Sequence, residues 1–222
     1  MSPILPHPLS PAAAFALALA VTVFGISSAG IAQARAATII DDWASVTPPP
    51  APALADAKVD PKTTALLVLD VVPQTCNAER RPRCIATLPA IHGLIDRARV
   101  AGMMVGYSAI PGDSAADVLP EAAPRDGEPL VAASADKFLG TDLDQTLKAH
   151  GIKTVIILGV AAQGAVLITA TEAALRGYQV VVPVDAISSD QPFAEQYAAW
   201  HVMNAPGIAG HAVLSRTDLI RF

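Results

Sequence analysis

Two stretches of the sequence carry residues able to do chemistry. The first ends in Asp70, which closes the short apolar run Thr64 to Leu69. A run of that kind reads as a buried strand, and a carboxylate at the mouth of a parallel sheet can exchange protons with a substrate. The second is KTVIILGVAAQGAVLITA, Lys153 to Ala170. Its β-branched, unbroken portion Thr154 to Val160 fits a strand buried on both faces of a parallel sheet. The turn Gly159-Val160-Ala161-Ala162-Gln163-Gly164-Ala165 then brings backbone close to the start of the next helix. Ligands of open α/β sheets lie at such places, outside the carboxyl ends of the strands. Gly164 and Ala165 would leave room for a ligand and turn backbone N–H groups toward it; small side chains there equally suit close packing of helix on strand.

The elements that must position these residues follow from the pattern of the chain. After the strand Thr64 to Leu69, apolar residues recur at helical spacing from Thr87 to Ala101, with a stop at Gly102. Met103 to Ala109 predicts a second strand, and Ile110 to Pro129 a loop over the sheet's carboxyl edge. Leu130 to Ala133 reads as a short third strand; Thr141 and Asp142 precede a helix, Leu143 to His150, that stops at Gly151. The helix after the central turn runs to Arg176, Tyr178 to Val184 is a fifth strand ending in Asp185, Gln191 to Met203 a last helix, and Ala212 to Ser215 a last strand before the tail TDLIRF. Alternating strands and helices imply right-handed crossovers and a three-layer, Rossmann-like α/β domain, with a mainly parallel sheet of roughly six strands and helices on both faces. Neither G-x-G-x-x-G after a strand nor G-x-x-x-x-G-K-[ST] occurs, so a nucleotide-binding reading has no motif behind it.

A length of 222 residues and an apolar fraction of 52% suit one domain with extensions. The net charge of -5, with 15 basic residues and no basic cluster, excludes an electrostatic footprint for nucleic acid or anionic lipid. Small neutral or cationic ligands are compatible with it. Residues 1–36 read as an export signal: an apolar run from Ala12 to Ile26, small residues to Gly30 and an A-x-A site at Ala34-Arg35-Ala36. The alternative is an uncleaved anchor, since no Lys or Arg precedes a run that approaches the ~20 residues of a spanning helix. Removal is favoured, giving a periplasmic or secreted protein free of the membrane. Residues 37–62 are rich in Pro and Ala and read as an extended arm on the domain, anchored by Trp43, or as a solvated linker. The domain proper is 63–222. Cys76 and Cys84, the only cysteines, fall in the loop after the first strand. Export makes a disulfide between them the leading reading; a nucleophilic Cys76 near Asp70 and a pair of inert thiols are the others.

GVAAQGAVLITATEAALRGYQVVVPVDAIS, from Gly159 to Ser188, resembles the signature of the isochorismatase-like (cysteine hydrolase) superfamily, G-V-x-T-N-x-C-V-x-x-T-A followed by A-x-x-x-G-Y and V-x-D-A. TTALLVLDVVPQ, Thr63 to Gln74, is similar to the family's first strand with its aspartate, and DKFLGTDLDQTLKAHGIKTV, Asp136 to Val155, to its K-x-x-x-[GT]-T-x-L block. The resemblance implies a small-molecule hydrolase without a cofactor that assembles into homo-oligomers. It assigns acid/base work to Asp70 and electrostatic partnership to Lys137, a pair that could alternatively be a structural ion pair. It places Gln74, Ala162, Gln163, Gly164 and Ala165 around the substrate, although Gln74 also suits a plain surface amide.

Ala165 departs from the family pattern. It falls where amidase members carry their nucleophilic cysteine, and a side chain without a heteroatom excludes a thioester there. Isochorismatases that cleave a vinyl ether have G-V-Y-A-H-[IV]-G at this turn, also without cysteine, and share Ala162; Gln163 replaces their histidine. In that chemistry the aspartate protonates the substrate and water attacks the resulting oxocarbenium. Two functions are therefore open: an exported hydrolase relying on Asp70 and Lys137, or a binding protein that has lost catalysis. The nicotinamidase branch carries metal ligands between the second and third strands, but Ser108 to Pro129 has no histidine, and His7, His92, His150, His201 and His211 lack ligand spacing, so no metal is expected.

Overall fold

The computed structural model describes residues 36–222; the expected export signal lies outside the described residues but for Ala36. The chain divides into two units, 1–48 and 49–222. In the first, α1 (Ile39–Asp42) is a single helical turn, started by the Asp41 carboxylate accepting the Thr38 N–H and O–H at 2.8 and 2.9 Å. Trp43, expected as an anchor, is exposed.

The second unit is built on a parallel sheet. Its strands are β2 (Thr64–Leu69), β3 (Met104–Ala109), β4 (Leu130–Ala132), β5 (Thr154–Val160), β6 (Gln179–Pro183), β7 (Ile187–Ser188) and β8 (Ala212–Ser215). The order across the sheet is β4-β3-β2-β5-β6-β8, with β7 added beside β5, making seven strands. Every pairing is parallel. The chain starts in the middle at β2, moves outward through β3 and β4, and returns to the other side of β2 as β5. Strand order therefore reverses between β2 and β5, the switch point where open α/β sheets leave a crevice for ligands.

Alternation along the strands separates two cores. Leu67, Leu69, Val155 and Ile157 point to the side covered by α3 (Leu143–Ala149), α4 (Leu167–Leu175) and α5 (Pro192–Asn204). Leu66, Val68, Ile156 and Leu158 point to the side covered by α2 (Pro82–Val100). Each strand is apolar on both sides because each side is roofed.

Three local findings differ from the sequence reading. Helix α2 begins at Pro82, five residues before the expected Thr87, so Cys84 lies in its first turn and not in a loop. Proline suits that position because its missing N–H would have no partner there. Between β5 and α4 the chain makes a wide turn over Ala162–Val166, with Gly164 at φ -108 and ψ -107, so the expected continuous helix is broken at its start. The tail TDLIRF is a turn followed by β9 (Ile220–Arg221), which pairs in parallel with β1 (Ala57–Lys58). The Pro-rich segment approaches it through Ala55, whose N–H donates to the Leu214 carbonyl at 3.0 Å and whose carbonyl accepts the Ser215 hydroxyl at 2.8 Å.

Candidate functional site

Asp70 is the residue at which β2 stops being a strand. It adopts φ 51, a left-handed conformation uncommon outside glycine, which costs on the order of 1 kcal/mol and persists only when surroundings enforce it. They do so at four points. The Asp70 N–H donates to the Ser108 carbonyl at 3.0 Å, its carbonyl accepts the Thr75 hydroxyl, and its two carboxylate oxygens are bound separately. Oδ1 accepts the Ser108 hydroxyl at 2.7 Å, and Oδ2 lies 2.8 Å from the Lys137 ammonium.

Lys137 is fully buried, which requires partners for its charge. Besides Asp70 it donates to the Ala133 carbonyl at 2.8 Å. Its backbone N–H donates to Thr169 of α4 at 3.4 Å, and the Thr169 hydroxyl donates to the Ala135 carbonyl at 3.3 Å. The segment after β4 is thus tied to the helix that follows the central turn. Asp70 itself is 5% exposed. Burial pushes its carboxyl up from the usual value, outweighing the hydrogen bond and charge of Lys137 and the Ser108 hydroxyl; the charge of Asp113 adds to the rise. A carboxyl so placed can hold a proton above the ordinary carboxylate range.

The switch point supplies the second wall. Gly159, at φ 118, runs so close to β2 that a Cβ would lie 2.1 Å from the Leu69 carbonyl oxygen, which admits glycine alone. The Val160–Ala161 peptide that follows is cis. Ala162 and Ala165 are buried, with their methyl groups in the core on the α4 side, so they can face a ligand chiefly through backbone. Gln163 is exposed, and its Oε1 accepts the Ser189 hydroxyl at 2.8 Å. Gln74 is exposed beyond Asp70 and its amide reaches Asp113 Oδ1 at 3.4 Å.

Of the residues singled out in the sequence, Asp70 and Lys137 are thus in direct contact. Cys76 and Cys84 are bonded to each other, with Cα atoms 5.3 Å apart. The bond leaves Cys76 no thiol for nucleophilic attack. Asp185, the other carboxylate at a strand end, accepts the N–H and hydroxyl of Thr217 at 2.9 and 2.7 Å and holds the C-terminal turn. Ser108 was not singled out; the signal for it is a small hydroxyl side chain near the end of a mostly apolar strand. Asp113 lies in the irregular stretch after β3, where spacing carries no information. Among the described residues no three His, Cys, Asp or Glu side chains gather as metal ligands, and no helix is long and apolar enough to cross a membrane.

A parallel α/β domain with a buried carboxylate–ammonium pair at its switch point defines the class of protein. Within that class the isochorismatase domain matches residues 64–215, and the chain belongs to the isochorismatase family. It is 31% identical over 100 residues to N-carbamoylsarcosine amidase of Arthrobacter sp, covering 44% of this chain and 38% of that one. It is 28% identical over 113 residues to the secreted isochorismatase effector Isc1 of Verticillium dahliae, covering 46% and 60%. The chain spans between 38% and 60% of the length of the curated relatives it matches. Its fold is similar to the crystal structure of an isochorismatase family protein from Desulfovibrio vulgaris, with a TM-score of 0.63 and 23% identity over 70% of this chain and 95% of that one.

Proposed function

We propose that the chain is an exported hydrolase of a small metabolite in which Asp70 is the general acid and base, Lys137 its electrostatic partner, and no side chain forms a covalent intermediate. The observation that carries the reading is the buried Asp70–Lys137 pair, 2.8 Å apart at the point where strand order reverses. In its acid form Asp70 gives a proton to the substrate. For a vinyl ether the proton goes to the terminal alkene carbon and leaves an oxocarbenium ion. Water adds its oxygen to that cation and returns a proton to Asp70, and the hemiketal collapses to a carbonyl compound and an alcohol. Lys137 holds the carboxylate in place and stabilises its charge between the two transfers. Ala165, at the position of the amidase cysteine in the motif, offers only a methyl group, so the route needs no thioester. The turn Ala162 to Ala165, with Gln74 opposite, serves as the substrate's seat.

Export is supported by the apolar N-terminal run ending in an A-x-A site, by the Cys76–Cys84 bond, which suits an oxidising compartment, and by the secreted relative. Self-association is supported by Phe193, Tyr197 and Trp200, which leave an exposed aromatic stripe on α5. A second reading, a small-molecule binding protein without turnover, draws on the methyl group at Ala165. One experiment separates the two. The mature protein and its Asp70→Asn variant are incubated with isochorismate and a set of small amides, and products are followed by mass spectrometry. Turnover by the wild type that vanishes in the variant, with circular dichroism showing that the variant is folded although its melting temperature falls because the buried Lys137 loses its counter-charge, is the expected result. No turnover by either, together with a metabolite retained by the folded protein, would establish the binding reading instead.

A further inference from the structure

We infer that Ser108 is a positioning residue for the proposed reaction: its hydroxyl fixes the Asp70 carboxylate for proton transfer and keeps that group able both to give a proton and to take one back. The inference rests on the hydrolase reading for the reaction alone; the contact is independent of it. Ser108 grips Asp70 twice. Its carbonyl accepts the Asp70 N–H at 3.0 Å, and its hydroxyl donates to Oδ1 at 2.7 Å. It stands in β3 between β2 and β4, in register with Leu69 on one side and Val131 on the other, so a paired strand and not a loop carries it. Ser108 and Lys137 are 1% and 0% exposed, whereas the Asp70 side chain keeps 8% of its surface. Of the three, Asp70 is therefore the group a substrate can meet, and Ser108 acts through it.

The two carboxylate oxygens are held by partners of different kinds. Oδ2 faces an ammonium, which can only donate and which favours the ionised form. Oδ1 faces a hydroxyl, which donates to the carboxylate and can turn to accept once the carboxyl is protonated. A second fixed cation at Oδ1 would hold Asp70 ionised. An apolar side chain there would leave the buried oxygen without a donor and the proton too firmly bound. A hydroxyl lies between these, which suits a group that must change protonation state twice in one turnover. The charged groups facing Asp70 are Lys137, from the segment after β4, and Asp113, from the loop after β3. Strand β5 and the turn before α4 carry none. Those two charges are of opposite sign, and the Ser108 bond works with Lys137 against the rise that burial causes.

The test is a pH titration of the Asp70 carboxyl by NMR in the mature protein without substrate, its signal assigned by its absence from Asp70→Asn. In Ser108→Ala the midpoint should rise by about one to two pH units, the roughly ten- to hundredfold weight of a hydrogen bond to a charged group. The falling limb of kcat/KM against pH should move up by the same amount. Ser108→Thr, which keeps the hydroxyl on a residue suited to a strand, should return both toward the wild type. Circular dichroism checks that each variant folds. Ser108→Cys, a weaker donor, takes the place of Ser108→Ala if that variant does not fold, and its rise should be smaller. An unmoved midpoint in the folded variant, or a rise that folded Ser108→Thr does not reverse, would overturn the inference. A side chain that merely fills space would alter the melting temperature and leave the midpoint where it is. Turnover with an unmoved midpoint defeats this inference and leaves the hydrolase reading intact, whereas a moved midpoint without turnover keeps the Ser108 contact and defeats the hydrolase reading.

Discussion

Lys137 has no exposed surface, and Asp70 hardly any. Each is tolerable in the interior only because the other is there. Removing one partner of a buried pair leaves an uncompensated charge, so Lys137→Met should lower stability at pH 7 by about 3–5 kcal/mol. The deficit should shrink as pH falls and Asp70 takes up a proton; urea midpoints at pH 5 and pH 7 measure this, and a loss independent of pH would count against the pairing. Asp70 also sets a pH dependence in the wild type. Its carboxyl is raised by burial, so the folded chain holds the proton more tightly than the unfolded one. The stability this contributes is complete below the unfolded carboxylate range, about pH 4, and is lost as pH rises through the higher folded value. Activity that needs the acid form should fall over the same interval, and a profile of kcat/KM against pH displays it. Asp70 and Lys137 were legible in the sequence because one ends an apolar run and both fall in motif blocks. Asp185 has the same local signature as Asp70, yet it binds Thr217; only the partner across 32 residues distinguishes the two roles, and no local pattern encodes it.

At the scale of elements, one arginine ties the far end of the loop between β3 and β4 to α2. Arg99, near the end of α2, donates to both carboxylate oxygens of Glu128 at 2.9 and 2.7 Å and to the Tyr107 hydroxyl and Ala123 carbonyl, each at 2.9 Å. Glu128 closes the circle by accepting the Arg125 N–H at 2.7 Å. Burial alone would raise the Glu128 carboxyl, but the Arg99 and Arg125 bonds together hold it below its usual value. Both side chains are mostly buried, at 11% and 15% exposure, so Arg99→Ala should cost about 2–3 kcal/mol in chemical denaturation. Because the Glu128 carboxyl is depressed, its share of stability is present above the unfolded value and is lost as pH falls through the folded one, on the acid side of about pH 4. The variant should lose less stability on acidification than the wild type does over that range. Six strands of the sheet were readable because short apolar runs between turn signals have few alternatives, whereas β7, only Ile187–Ser188, was missed because two residues carry no pattern. The loop was readable only as a loop: its turns, and the contact of Gln74 with Asp113, depend on arginine and carboxylate partners from other elements.

For the whole molecule, the sequence implied a parallel sheet with right-handed crossovers but not the order of its strands, which is decided by which edges find partners after collapse. The pairing of β1 with β9 was missed for the same reason, since two residues at each end of the domain show no periodicity and are joined by a parallel match across the chain. The Cys76–Cys84 bond belongs to this scale as well, because it links the loop leaving β2 to the first turn of α2 and because it depends on where the chain matures. It closes a short loop, eight residues apart in sequence, so the stabilisation expected from restricting the unfolded chain is only about 2.5 kcal/mol. The domain should therefore stay folded when the bond is reduced, its unfolding free energy lowered by about that amount, since the reduced side chains of Cys76 and Cys84 can keep their places in the core on the α2 side. Intact mass of protein recovered from an exporting host joins the two expectations. Cleavage after Ala36 and oxidation together predict the mass of residues 37–222 less two hydrogens, with both hydrogens regained on reduction after denaturation. The mass of the full chain would refute removal of the N-terminal run, and the mass of residues 37–222 with no deficit would refute the bond.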